Sequence, residues 1–165
     1  MCIIPDHLRD FTRPACRADV EALAPRLLRE DREDIAALTG GHTPREALLH
    51  GLRHSTPGIA FFLPGQPTAV MGMGGIIHPA LVWLLFHEDL LTSPAGRKLF
   101  LKHCPAVRDW LLSLTPTGFM YNRTLASSRR IRRWLHWLGA EELPPTPHDG
   151  VVWFEIVKKK GEAHV

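Results

Sequence analysis

The chain has 165 residues, of which 45% are hydrophobic and 22% are charged, and its formal net charge is +3 at pH 7. This length fits one domain, and the apolar content is sufficient for a core, which excludes a disordered chain. The positive charge is too small to predict a dedicated nucleic-acid binder, so nucleic acid is not expected as a partner.

The cysteines suggest the redox setting. Cys2, Cys16 and Cys104 are widely spaced and form no CxxC pair. An odd number without a pattern argues against a disulfide framework and against a metal site. The first residues carry charges and lack the apolar core of a signal peptide. We therefore expect a cytoplasmic protein that holds no metal.

The first elements are a short strand and two helical segments. Residues 10–16 predict the strand, and apolar residues at helical spacing predict a helix over residues 18–29. Pro25 removes a backbone hydrogen bond and should kink or split that helix. Residues 30–38 continue as a charged helical segment that two glycines end.

A capping motif predicts the next helix. Thr43 can cap the free amides, Pro44 suits the first helical position, and Glu46 completes a capping box. The helix is expected to end near His54.

A strand pattern follows. Residues 59–63 and 68–73 predict a hairpin whose turn lies at residues 64–67. The continuous apolar run over residues 80–86 is typical of a central strand buried on both faces.

One stretch also satisfies the length criterion for a membrane span. Residues 67–86 carry no charge, but they include three glycines and the His78-Pro79 pair. These breaks favour two buried strands joined by a turn, so no membrane association is expected.

The last third alternates helices with strands. Ser93 and Pro94 form a helix start, and Pro105 predicts a kink in that helix. The predicted elements are a helix over 95–114, a strand over 118–121, a helix over 126–138 and a strand over 151–158. These predictions and the earlier ones place the whole chain, residues 1–165, in a single domain.

Two motifs and this element order resemble the GNAT superfamily of N-acetyltransferases over nearly the whole chain. Residues 12–20, Thr-Arg-Pro-Ala-Cys-Arg-Ala-Asp-Val, resemble its "R-x-A-x-x-x-D" opening. Residues 128–139, Ser-Arg-Arg-Ile-Arg-Arg-Trp-Leu-His-Trp-Leu-Gly, resemble its "N-x-x-A-x-x-L-Y-x-x-L-G-F" closing helix. The ending is especially similar to divergent GNAT-like proteins of tailed phages, some of which are internal virion proteins.

The resemblance implies an α/β (α+β) fold. It predicts a mixed, mostly antiparallel sheet of six to seven strands, with helices on both faces. In that family acetyl-CoA lies where the fourth and fifth strands separate, and amides at the next helix start hold its diphosphate. The matching cofactor-binding positions here are Phe86, Ala95, Gly96, Arg97, Lys98, Ser128 and Arg132. The helix start at Ser93 has one glycine and a proline, and the alternative to a phosphate site is a well-capped helix start that needs no ligand.

Candidate catalytic residues follow from the same resemblance. His87 and Glu88 come directly after the fourth strand and are candidate general bases; the alternative is a polar strand end that enters a loop. Tyr121, the only tyrosine, lies at the end of the predicted fifth strand and is a candidate that packing would also explain. Ser128 and Leu135 stand where the family has asparagine and tyrosine.

The implied function is transfer of an acetyl group from acetyl-CoA to an amine, by direct attack and without a covalent enzyme intermediate. The alternative is a non-catalytic member of the fold that acts as a phage virion, assembly or protein-interaction module. The closing helix also presents arginines that can be a solvated face or can bind phosphate: Arg129, Arg130, Arg132 and Arg133.

Overall fold

A computed structural model describes residues 3–144 and 149–158, which leaves Cys2 outside the described chain. Within these ranges the helices are α1 (Arg17–Leu23), α2 (Arg29–Leu38), α3 (Pro44–His54), α4 (Pro94–Ser113) and α5 (Arg129–Trp137). The strands are β1 (Thr12–Pro14), β2 (Ser55–Leu63), β3 (Gln66–Ile77), β4 (Leu81–Phe86), β5 (Phe119–Leu125), β6 (Glu141–Glu142) and β7 (Val151–Val157).

The seven strands of the described chain form one sheet in the order β1-β2-β3-β4-β5-β7-β6. Every neighbouring pair is antiparallel except β4 and β5, which are parallel. Helices cover both faces, because α1, α2 and α3 pack in one core cluster and α4 and α5 in another. The predicted fold class, a mixed and mostly antiparallel sheet between helical layers, is confirmed.

The region between β1 and α2 follows from local sequence. α1 ends at Leu23, and a 3₁₀ turn over Ala24–Arg26 contains Pro25. Proline cannot donate the backbone hydrogen bond that a continuing helix needs, so the predicted split occurs at this point. The chain then turns at Leu27 and Leu28 before α2 begins.

The predicted capping box at the start of α3 is present. Thr43 Oγ1 accepts a hydrogen bond from the Glu46 amide at 3.2 Å, and the Glu46 carboxylate accepts one from the Thr43 amide at 2.7 Å.

We expect Thr43→Ala to destabilise the fold by about 1 kcal/mol, because one capping acceptor is lost. The midpoint of thermal unfolding should fall by roughly 2–4 °C. Thr92, an exposed threonine outside the helices, is a matched control, and Thr92→Ala should change stability by less than about 0.5 kcal/mol. Equal melting of the two variants would show that the cap contributes nothing.

β3 is longer than its sequence predicts. The prediction ended it at residue 73, but the strand continues through Gly74 and Gly75 to Ile77. A Cβ at Gly74 would lie closer than 3.0 Å to the Leu84 side chain and the Trp83 carbonyl oxygen. Glycine here therefore permits close approach of β4 and does not break the strand.

The C-terminal elements differ in length from their predictions. β5 runs to Leu125, four residues beyond the predicted end, since it pairs with β7 over its whole length. α5 begins at Arg129, three residues later than predicted, and ends before Gly139 as predicted. β6, a two-residue strand beside β7, had no sequence signal.

The uncharged stretch over residues 67–86 lies in β3, β4 and their connection. Among the described residues, no helix has the length and apolarity needed to cross a membrane.

Candidate active site

β4 and β5 separate soon after they meet. Their register contains one pair of residues, Leu81 and Tyr121, and the Tyr121 amide donates to the Ala80 carbonyl at 3.0 Å. One residue further on, Asn122 Nδ2 donates to the Val82 carbonyl at 2.6 Å, so a side chain replaces the next ladder bond. Beyond this point the strands diverge, and we call the space between residues 83–86 and 123–125 the β4–β5 gap.

The edge of β4 that faces the gap is only partly covered. Val82 and Phe86 both direct backbone groups to this edge. The Val82 carbonyl accepts a hydrogen bond from Asn122. The Phe86 amide donates to Asp31 on α2, and the Phe86 carbonyl accepts from Leu28, just before α2. Alternate residues of a strand direct their backbone groups to the same edge. Leu84 lies between these two residues, so its N–H and C=O face the gap.

Helix α2 closes the far end of the gap. On the β4 side, Asp31 Oδ2 accepts a hydrogen bond from the Phe86 amide at 2.8 Å, and the Leu28 amide donates to the Phe86 carbonyl at 2.8 Å. On the β5 side, Asp34 accepts hydrogen bonds from the Thr124 hydroxyl and, at 2.8 Å, from the Ser128 hydroxyl.

Two further contacts attach α2 to β5 and α5. The Leu125 amide donates to Asp34 at 3.3 Å, and Arg130 on α5 forms an ion pair with Glu30 at 2.6 Å. We call Asp34 with Thr124, Leu125 and Ser128 the Asp34 clamp. Because Asp31 and Asp34 are three residues apart, they share the face of α2 that spans the gap.

A cavity of about 530 Å³ passes through the gap and reaches both helical layers. Its walls are mainly apolar and aromatic. On the side of α2 and α3 they include Ile35, Leu38, Ala47, Gly51, Trp83 and Leu85, and on the side of α4 and α5 they include Phe100, Cys104, Val107, Leu111, Trp134 and Leu135.

Two tryptophans shape these walls. A Cβ at Gly51 would lie closer than 3.0 Å to the Trp83 ring, so glycine gives this indole its space on α3. Trp83 Nε1 donates to Ser55 Oγ at 2.7 Å, which fixes the ring. The Trp134 ring packs against Phe86 and Phe100, and among the described residues its buried indole N–H has no hydrogen-bond partner.

Asp31 is the buried carboxylate of the cavity. It is 5% exposed, and burial raises its pKa to about 7, against a hydrogen bond from the Phe86 amide that lowers it. The negative charges of Asp34 and Glu30 raise this pKa further. A carboxyl group with this pKa exchanges a proton near neutral pH.

The three predicted catalytic residues lie outside the cavity walls. Glu88 forms an ion pair with Arg26 at 2.6 Å, and His87 Nδ1 accepts from the Asp89 amide at 3.0 Å. The Tyr121 ring packs against Phe119 and Trp153 at centroid distances of 6.1 and 6.3 Å. None of the three is among the residues that line the cavity in the described chain.

The predicted cofactor-binding residues occupy several environments. Phe86 lines the cavity. The Gly96 amide donates to Ser93 Oγ at 2.9 Å and the Arg97 amide to the Ser93 carbonyl at 3.0 Å, as in a capped helix start. Ala95, Arg97 and Lys98 are exposed.

Two predicted positions on the closing helix are held by acidic partners. Ser128 belongs to the Asp34 clamp. Arg132 forms an ion pair with Glu142 at 2.7 Å and also donates to the Ala126 carbonyl at 2.8 Å.

Asp31 and Asp34 were not predicted from the sequence as site residues. A signal was present, since Asp31, Ile35 and Leu38 recur at the i, i+4, i+7 spacing of a buried helix face. A carboxylate in such a stripe needs a partner or a function. For metal binding, residues 3–144 and 149–158 contain no group of three or more His, Cys, Asp or Glu side chains placed to hold an ion.

No protein-family model matches the sequence, and neither does any curated protein. Solved structures do match the fold. An acetyltransferase from Agrobacterium tumefaciens is similar with a TM-score of 0.60 and 18% identity, covering 89% of this chain and 90% of that one. A ribosomal-protein-alanine N-acetyltransferase from Brucella melitensis gives a TM-score of 0.52 and 13% identity, with 89% and 99% covered.

A third similar structure contains a ligand. A GNAT superfamily phosphinothricin acetyltransferase from Sinorhizobium meliloti, in complex with AcCoA, gives a TM-score of 0.52 and 16% identity, covering 93% of this chain and 91% of that one. Identities this low describe shared architecture. The chain therefore has the fold of the GNAT acetyltransferases.

Proposed function

We propose that this protein is a GNAT-like N-acyltransferase that transfers the acetyl group of acetyl-CoA to an amine. The observation that carries the proposal is the β4–β5 gap, through which one cavity joins the two faces of the sheet. Such a passage allows a thioester to enter from one side and an amine to reach it from the other. The acetyl group would move at the gap itself.

The residues at the gap fit the thioester arm of acetyl-CoA. Leu84 offers an N–H and a C=O to an amide-containing arm, and the indole N–H of Trp134, which has no partner within the described ranges, can donate to a carbonyl group. The apolar walls suit the methylene groups and exclude water.

The diphosphate requires a different arrangement from that of the family. The Gly96 and Arg97 amides are already bonded within the start of α4. We propose that the exposed side chains of Arg97 and Lys98 hold the diphosphate, with Ala95 contributing its amide.

Direct attack by the amine fits the side chains of the cavity. Burial raises the pKa of the Cys104 thiol to about 12, so this thiol is protonated at neutral pH. A protonated thiol is a poor nucleophile, and an acyl-cysteine intermediate is therefore not expected. Glu88, His87 and Tyr121 remain predictions for proton transfer, and each can be tested by substitution.

Filling the cavity should block acetyl-CoA. Cys104 lines the cavity on α4, and in Cys104→Phe the added ring should occupy the space of the thioester arm. We expect calorimetry with acetyl-CoA to show binding by the wild type and at least tenfold weaker binding by this variant. Leu101→Phe is the matched control, because Leu101 is 56% exposed on the same helix and should leave binding unchanged.

Two outcomes would contradict the proposal. One is the absence of detectable heat from the wild type at millimolar acetyl-CoA. The other is equal affinity of the two phenylalanine variants, provided that their circular dichroism shows both to be folded.

A non-catalytic role in protein interaction or virion assembly is the second candidate. It is favoured by the internal bonds of the Gly96 and Arg97 amides and of Ser128, groups that the family would offer to acetyl-CoA. The same calorimetry separates the candidates, since this role requires no acetyl-CoA binding.

A further inference from the structure

We propose that Asp31 is the residue that takes the proton from the attacking amine. The proposal rests on the function proposed above and assigns its catalytic base. It places the base on α2, the helix that closes the β4–β5 gap, and not on the segment that follows β4.

The position of the Asp31 carboxylate is fixed by the strand that borders the gap. Its Oδ2 atom accepts a hydrogen bond from the Phe86 amide at 2.8 Å. The residue is 5% exposed and lines the cavity. Among residues 3–144 and 149–158, no hydrogen bond engages Oδ1. One oxygen is therefore anchored and the other is available to a ligand in the cavity.

The other carboxylates near the gap are engaged. Both oxygens of Asp34 accept hydrogen bonds within the Asp34 clamp. Glu30 pairs with Arg130, and Glu88 pairs with Arg26 outside the cavity walls. A charge-paired or fully bonded carboxylate is a weaker proton acceptor than one with a free oxygen.

The electrostatic surroundings keep Asp31 near its titration point. Burial is the main cause of its raised pKa, the charges of Asp34 and Glu30 add to it, and the hydrogen bond from the Phe86 amide and the charge of Arg130 oppose it. Apart from Asp34, the titratable or charged side chains that line the cavity in the described part of the chain are His42 and His50 on the side of α3, His103, Cys104 and Arg108 on α4, and Arg123 on β5. For His50 and His103, burial lowers the pKa, so both favour the neutral form.

The reaction balances without another reactant. The amine nitrogen forms a bond to the thioester carbonyl carbon while Asp31 Oδ1 accepts the N–H proton. The carbon–sulfur bond then breaks, and the sulfur leaves with the electron pair of that bond. The proton passes from Asp31, directly or through water, to the sulfur, giving an amide, free CoA thiol and an ionised Asp31.

The test compares Asp31→Asn with the wild type in acetyl transfer to 2-phenylethylamine, a primary amine whose apolar body suits the cavity walls. We expect kcat at pH 8 to fall at least about 100-fold, the usual contribution of a general base. The KM for acetyl-CoA should change less than about threefold. The wild-type kcat should rise with pH to a plateau with a midpoint near pH 7, and the variant should lack this titration.

Glu33→Gln is the matched control, since Glu33 pairs with Arg29 on the exposed side of the same helix, and its kinetics should equal those of the wild type. An Asp31→Asn variant with kcat within threefold of the wild type would overturn the assignment and leave the proposed transferase function intact. A loss expressed only in KM would overturn it as well, because that result indicates a positioning role. Acetyl-CoA binding without transfer to the amine by the wild type would overturn both proposals.

Discussion

Replacing Asp34 with alanine is expected to destabilise the protein by about 3 kcal/mol, which corresponds to a fall of roughly 6–12 °C in the midpoint of thermal unfolding. The Asp34 clamp supplies the hydrogen-bond acceptor for three donors. Two of them, the hydroxyls of Thr124 and Ser128, belong to residues that are 2% and 3% exposed. Without the carboxylate these hydroxyls stay buried and lose their partner, and each unsatisfied group costs about 1–3 kcal/mol.

Glu33→Ala is the control for this loss. Glu33 also carries a carboxylate on α2, but its ion pair with Arg29 is exposed to solvent, with side-chain exposures of 48% and 79%. Such pairs contribute about 0–1 kcal/mol. Urea unfolding followed by circular dichroism measures both variants. If the free energies of unfolding of Asp34→Ala and Glu33→Ala differ by less than about 0.5 kcal/mol, the clamp does not stabilise the attachment of α2.

The second large effect is a pH-dependent gain of stability in Asp31→Asn. Burial raises the folded-state pKa of Asp31 to about 7, well above its ordinary value of 3.8. The folded protein therefore holds this proton more tightly than the unfolded chain. The wild type must lose stability on account of this group as the pH rises from about 4 to about 7.

Asparagine keeps the shape of the protonated side chain and can still accept the hydrogen bond from the Phe86 amide, but it does not ionise. The stability of Asp31→Asn relative to the wild type should thus increase between pH 5 and pH 8 by on the order of 2–3 kcal/mol. In thermal melts the difference between the two proteins should widen by roughly 5–10 °C. The histidines are the same in both proteins, so their contribution cancels in this comparison.

A difference in melting temperature that stays constant from pH 5 to pH 8 would show that Asp31 ionises in the fold without penalty. The expected result has a functional consequence. Asp31→Asn should stabilise the protein at pH 8 and also remove its proton acceptor. Such a trade-off between stability and activity is common where an active site needs a charge that destabilises the fold.

Local sequence was sufficient for the elements that begin or end at a capping or proline signal. The box formed by Thr43 and Glu46 marks the start of α3, Pro25 ends α1, and the apolar run before His87 is β4. Each of these signals depends on residues within a few positions of one another, because capping and proline effects act through neighbouring backbone groups. The element order and two short motifs then led to the GNAT fold, which the sheet topology confirms.

Elements that depend on a partner strand were predicted less well. β5 contains Asn122, Arg123 and Thr124, three residues that do not form a hydrophobic pattern. Its length is set by pairing with β7, which lies about thirty positions further along the chain. The glycines of β3 likewise read as a break, since only the packing of β4 against them shows why side chains are absent.

The candidate site was least accessible to sequence. The bond from Phe86 to Asp31 joins residues 55 positions apart, and the bond from Ser128 to Asp34 joins residues 94 positions apart. No local pattern encodes such contacts, so the sequence pointed only to candidates beside β4, His87 and Glu88, and these stay predictions. The sequence by itself determined the order of the main helices and strands and the fold they resemble. Only the tertiary structure decided which carboxylate reaches the gap, because that depends on how α2 crosses two strands that have separated.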